Sequence, residues 1–131
     1  YSEAMKMAYT DADGKLQTPI MGCYGIGIGL MMASVMEVRH DAYGPQWPMS
    51  IAPWSVHLNA LKADMGNVKE TAETLYRDLQ ASGIDVLYDD RNVSPGIQFA
   101  DADLLGIPIR IIVSERNLKE GMLEYKRRDR L

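Results

Sequence analysis

Ile84 to Pro108 reads IDVLYDDRNVSPGIQFADADLLGIP, and the order of its segments leaves few folds open. A strand-like run, Asp85–Tyr88, ends on the polar trio Asp89, Asp90 and Arg91. Ser94 is placed to cap a helix whose first position is Pro95, where a missing N–H is no loss. Gly106 and Pro108 stop that helix, and Ile109 to Val113 follows with four Ile or Val in five residues. A β-branched run of this kind suits a central strand. Two strands joined by so short a helix pair in parallel through a right-handed crossover.

The same rhythm appears upstream. Ser55 to Leu61 reads as a short apolar strand, and Asn67 with Glu70 three residues on resembles a capping box. The helix that follows carries Val68, Ala72, Leu75, Tyr76 and Leu79 on one face and stops at Gly83. A final strand spans Met122 to Arg128. The class is therefore α/β, a mixed but mostly parallel sheet flanked by helices. Ahead of it, Met5 to Met21 reads as a β-hairpin turning at Asp11-Ala12-Asp13-Gly14. From Gly29 the residues Leu30, Met31, Met32, Ala33, Val35, Met36 and Val38 make a helix apolar on most sides, which needs partners. Its methionines read as packing material. The stretch 41–53, punctuated by Trp47, Pro45, Pro48 and Pro53, is the candidate domain boundary.

Thr18 to Met36 contains no charged residue and matches a membrane span in length. Gly22, Gly25, Gly27, Gly29 and Pro19 speak against a spanning helix, so a buried strand running into a buried helix is expected, with no membrane partner. The net charge of −4 excludes a protein held to nucleic acid by bulk electrostatics alone. Residues 110–131 nonetheless carry seven Lys or Arg against four Asp or Glu. That basic segment either steers toward phosphates or forms a solvated strand face. The single cysteine, Cys23, excludes an internal disulfide and a Cys-rich zinc site, and no metal is expected. This fits a reducing cytoplasm. The chain shows no secretory signal and opens on Tyr1, so a fragment of a longer protein is expected.

In open α/β sheets the ligand edge lies at the carboxyl ends of the strands. Asp89, Asp90 and Arg91 sit at one such end, with Ser94-Pro95-Gly96 opening the helix beside them. Carboxylates and a guanidinium there match guanine, which offers both donors and acceptors, while Phe99 and Tyr88 supply either stacking surface or core. The alternative is an Asp–Arg pair that merely caps the turn. Gly25-x-Gly27-x-Gly29 lacks the placement of a dinucleotide fingerprint, and His40 and His57 read as surface or cap residues.

Taken together, Tyr1-Ser2-Glu3-Ala4-Met5, Ile20-Met21-Gly22-Cys23-Tyr24-Gly25-Ile26-Gly27, Trp47-Pro48, Ile51-Ala52-Pro53 and the 84–108 block resemble the C-terminal part of bacterial prolyl-tRNA synthetases. The resemblance runs from residue 1 to about residue 128 and implies a class II aminoacyl-tRNA synthetase that joins proline to tRNA(Pro) with ATP and Mg, as a cytoplasmic homodimer. It implies that residues 1–46 are a hairpin-plus-helix remnant of the antiparallel catalytic domain, inactive alone, with Gly22 and Cys23 walling the prolyl pocket and Gly25 and Gly27 under adenosine. Residues 47–131 are then an anticodon-binding domain lacking its final helix. Asp89, Asp90, Arg91, Pro95, Gly96, Phe99 and Asp101 fall on its binding motif, with Arg91 and Asp101 as base contacts. Four positions depart from the pattern: Leu30 replaces the arginine that holds the ATP tail, after Gly29 instead of Ser or Thr. Ser94 and Gln98 replace Arg and Lys, which removes two cations from the expected RNA rim. Leu30 leaves open a non-catalytic relative that serves in RNA binding or regulation, and a small-molecule α/β module is a third reading.

Overall fold

The computed structural model describes residues 1–130, which divide into two compact units, 1–31 and 32 onward. Leu131, the last residue of the expected second domain, lies outside the described residues.

In the first unit β1 (Tyr9–Thr10) and β2 (Leu16–Gln17) pair antiparallel. Gly14 takes φ +76°, and the Asp11 carboxylate accepts from the backbone N–H groups of Asp13 and Lys15 at 3.0 and 2.8 Å. The hairpin thus closes on the turn chemistry legible in the sequence. Residues 18–27 form no strand and are exposed apart from half-buried Pro19. α1 (Ile28–Val38), which runs across the boundary at residues 31 and 32, buries none of its residues. The buried strand and buried helix expected here are therefore corrected: a two-residue ladder offers no sheet face for either to pack on. Among the described residues no helix is long and apolar enough to cross a membrane.

In the second unit β3 (His40–Asp41) and β4 (Gly44–Pro45) form a small antiparallel ladder. There follow β5 (Val56–Ala60), α2 (Val68–Ala81), β6 (Val86–Asp89), α3 (Pro95–Leu105), β7 (Ile109–Val113), α4 (Glu115–Lys119) and β8 (Glu124–Arg127). The sheet order is β6-β5-β7-β8, with β5 parallel to both neighbours and β8 antiparallel to β7. This is the mixed, mostly parallel sheet flanked by helices that the sequence implies. α4 was not anticipated; the Ser114 hydroxyl caps it by accepting from the Asn117 N–H at 3.3 Å.

Two expected caps differ. Asn67 stands at φ −93°, ψ 16° with no side-chain cap bond, so the capping box with Glu70 does not form. A side-chain cap needs an extended backbone at that position, and Asn67 is already close to helical. Ser94 does have the extended backbone (φ −64°, ψ 147°), but its hydroxyl makes no cap bond; its carbonyl accepts from Ile97 and Gln98 at 3.0 and 3.2 Å.

The alternation in β5, Val-His-Leu-Asn-Ala, gives the sheet two unlike faces. Val56, Leu58 and Ala60 join Val86, Val113 and α2's Val68 and Ala72 in the apolar core. Tyr76 of α2 stacks on Tyr88 of β6 at 5.5 Å between ring centroids. The opposite face sets His57 and Asn59 beside Asp89 and Arg110, and α3 rests on it. Burying polar groups is unfavourable unless they are paired, so this face has to be organised as a network. That network is what positions the site.

Candidate nucleic-acid interface

Asp89 closes β6 at the carboxyl edge, and the chain turns sharply after it. Its carboxylate accepts the Arg91 backbone N–H at 3.2 Å and grips the Arg91 guanidinium through Nε and Nη2, both at 2.8 Å. Nη2 also donates to Asp101 Oδ2, on the seventh residue of α3, at 2.8 Å. The Arg91 guanidinium holds the Asp89 carboxyl below the usual carboxylate range. In return Asp89, and then Asp101, raise the Arg91 pKa, so the guanidinium stays charged. Asp89 is buried, yet the Arg91 side chain is still 50% exposed. The pair braces the turn, as the capping alternative has it, and it leaves Nη1 and one face of the guanidinium on an exposed ledge.

Beside the ledge lies a cavity of about 380 Å³, within the range of small-ligand sites. Leu87, Leu104 and Leu105 give it an apolar wall, while Asp89, exposed Asp90, Arg91 and Asp101 form its polar side. Pro95 and Gly96 lie in the first turn of α3, half-buried and exposed. Phe99 is turned away: its ring lies under the Arg110 guanidinium at 5.4 Å. The apolar wall of the cavity is supplied by leucines, which no sequence motif marks. Gly22, Cys23, Gly25 and Gly27 occupy the exposed segment of the first unit, and the Cys23 thiol is free and exposed.

Two residues on this side contradict their expected setting. Gln98, expected on the RNA rim, is fully buried and donates through Nε2 to Arg91 O at 2.9 Å. His57, expected at the surface, is 2% exposed and forms part of the cavity floor. Its Nε2 lies 4.0 Å from Asp89 Oδ2 and 3.5 Å from Asn59 Nδ2. The polar positions of Val-His-Leu-Asn-Ala were the available signal for it.

Burial pushes the His57 pKa down to about 4; Asp89 opposes this, Arg110 and then Arg91 reinforce it, and Asp101 opposes it weakly. The unfolded chain, with a value near 6.5, binds the proton more readily. The stability contribution is therefore complete above about pH 6.5 and is lost as pH falls toward 4. The full loss is on the order of 3 kcal/mol. Denaturant melts at several pH values should show this slope, and His57→Phe should flatten it within that window. Parallel pH profiles for the two proteins would sink the assignment.

The expected basic segment is largely consumed in pairs. Arg110 and Arg128 are buried against Asp103 and Asp41, while Arg127 pairs with Asp129 and Lys119 with Glu115. The Arg91 guanidinium on the ledge, by contrast, remains half exposed.

The profile of the family "Anticodon binding domain" matches residues 51–131. A proline–tRNA ligase of Legionella pneumophila (strain Corby) is 50% identical over 129 residues, covering 98% of this chain and 23% of that protein. Proline–tRNA ligases of Dehalococcoides mccartyi (strain CBDB1) and Geobacter sulfurreducens are each 48% identical, covering 97% and 98% of this chain and 22% of their own lengths. The chain thus spans less than a quarter of the length of these curated relatives. The matched span takes in the whole four-stranded sheet, α3 and the Arg91 ledge, and the chain belongs to the anticodon binding domain family.

Proposed function

We propose that residues 47–131 read the anticodon loop of tRNA(Pro), and that the chain is the carboxyl-terminal portion of a proline–tRNA ligase. One observation carries this: a half-exposed arginine, braced by Asp89 and Asp101 beside an apolar-walled cavity, in a chain half identical to such ligases. Arg91 Nη1 is available to guanine O6 and N7, and Asp90 with the second Asp101 oxygen is available to its amino group. The leucine wall receives the face of an unpaired base. Pro95 and Gly96 flank the ledge, and Phe99 supports α3 through Arg110.

In the whole enzyme, ATP with Mg activates proline for transfer to the tRNA, in a cytoplasmic homodimer. Residues 1–46 are assigned to its catalytic domain, with Gly22 and Cys23 at the prolyl group and Gly25 and Gly27 under adenosine. These residues alone do not fit ATP. Thr18 to Met36 has no charged side chain, and Leu30 has no donor for phosphate, so no ATP step is assigned to them. Leu30 also favours a second reading, a non-catalytic relative that binds RNA. An intact arginine-bearing ATP motif upstream in the gene supports the ligase; its loss supports the relative.

The chain is expected to bind a hairpin RNA carrying the tRNA(Pro) anticodon loop in fluorescence anisotropy, with affinity falling as salt rises. Arg91→Ala should weaken binding roughly 10- to 100-fold, beyond what any accompanying loss of stability from unpairing the buried Asp89 explains, with circular dichroism reporting the folded fraction. Equal affinity for a hairpin of scrambled loop sequence would overturn the reading.

A further inference from the structure

We infer that Gln98 is a positioning residue for Arg91: enclosed beneath the loop between β6 and α3, it fixes where the guanidinium stands on the ledge. Its effect on RNA rests on the anticodon-loop reading; its effect on Arg91 does not.

The side chain of Gln98 is 0% exposed. Nε2 donates to Arg91 O at 2.9 Å and to Ala60 O, at the end of β5, at 3.4 Å. Gln98 therefore ties the loop to both the helix that carries it and a central strand. Arg91 O also accepts from the Val93 N–H at 3.0 Å, and the Arg91 N–H goes to Asp89 at 3.2 Å. With the guanidinium held by Asp89 and Asp101, Arg91 is restrained at its amide, its carbonyl and its side chain. A group restrained in this way loses little freedom when a ligand arrives, and that preorganisation is where affinity is gained.

The other half of the Gln98 amide argues against a purely stabilising role. Oε1 is buried without a hydrogen-bond partner among the described residues. A buried carbonyl left idle is costly, so stability alone favours an apolar side chain of the same shape at this position. The amide group is accounted for by what its nitrogen holds. Without it, the Arg91 carbonyl keeps only the Val93 N–H, and the loop that carries the guanidinium loses its tie to α3 and β5.

The test uses the full chain and a hairpin RNA bearing the tRNA(Pro) anticodon loop. Gln98→Met keeps length and apolar fit but removes both bonds. It is expected to match or exceed native thermal stability, to weaken RNA binding on the order of tenfold, and to shift the Arg91 Nε–H resonance toward its free value. In an Arg91→Ala background the same change is expected to add nothing to the loss of affinity, because Gln98 acts through Arg91. Additive losses, or an unmoved Arg91 resonance in folded Gln98→Met, overturn the inference. If the native chain fails to bind the hairpin, the anticodon-loop reading falls while the resonance still decides the role of Gln98. Should Gln98→Met not fold, the native protein decides: its Gln98 side-chain amide protons are expected to exchange slowly and to show contacts to Arg91, and fast exchange overturns the proposal.

Discussion

Gly106→Ala is expected to cost roughly 4 kcal/mol or more in stability, against roughly 1–2 kcal/mol for Gly83→Ala. Both glycines adopt the left-handed region, Gly106 at φ +68° and Gly83 at φ +75°. Both replacements therefore carry the conformational penalty of a side chain in that region. They differ in surroundings. A Cβ on Gly83 meets nothing within 4 Å, whereas one on Gly106 collides with Pro45 O and lies 2.8 Å from Pro45 C. Those atoms are backbone and cannot swing aside. Relief requires α3's end to move off β4 and would strain the bond from the Trp47 N–H to Gly106 O, now 3.2 Å. A neighbouring position shows the same close approach: Gly44, at φ +146°, places a Cβ 2.7 Å from Asp103 O. Urea melts of the two alanine variants measure the difference directly. Equal losses at Gly106 and Gly83 would mean that the contact yields easily and that the helix end is not locked to the β3–β4 ladder.

Gly106 also marks how far local sequence reaches. Pro95 at the start of α3, Gly106 at its end and the β-branched run Ile109–Val113 each act through their own backbone, so element type, order and parallel pairing were legible. The role of Gly106 as a stop was visible in the same way, but the approach of Pro45, 61 positions back along the chain, was not. The misread residues are those whose setting is decided across the fold. His57 looks like a surface or cap residue until α3 covers its face of the sheet. Gln98 looks like a rim residue until its helix phase turns it under the loop. The basic terminus, left open between a phosphate surface and a solvated strand face, is decided only when Arg110 and Arg128 find carboxylates on other elements. At the site, Asp89, Arg91 and the start of α3 were legible as a group because strand end and helix start are adjacent in sequence, whereas Asp101, the seventh residue of α3, entered only through the family resemblance. The leucine wall was not, since Leu87, Leu104 and Leu105 differ from core leucines only by where the strand and helix leave them.

The buried arginines bear the second large expectation. Asp103→Ala should destabilise the chain by roughly 3–5 kcal/mol, and the pair Arg110→Met with Asp103→Leu should recover most of that loss. The Arg110 side chain is 8% exposed and bonds Asp103 Oδ1 through Nη2; its next acceptor, Phe99 O, is 3.4 Å away. Arg128, 6% exposed, places Nε 3.7 Å from the same Asp103 oxygen and bonds Asp41 and the Gly44 carbonyl. Removing Asp103 therefore strips one guanidinium of its carboxylate and takes a nearby negative charge from another, in a setting where neither is well hydrated. An apolar pair of similar volume leaves no charge behind, so its recovery separates the penalty of an orphaned cation from loss of packing. Because α3 carries both Asp101 and Gln98, a loosened Asp103 contact should also weaken RNA binding, and the apolar pair should restore affinity along with stability. Thermal melts and anisotropy on the three proteins read both quantities. A loss below about 1 kcal/mol for Asp103→Ala is the range of an exposed pair, and would show α3 held to its sheet by something other than these charges.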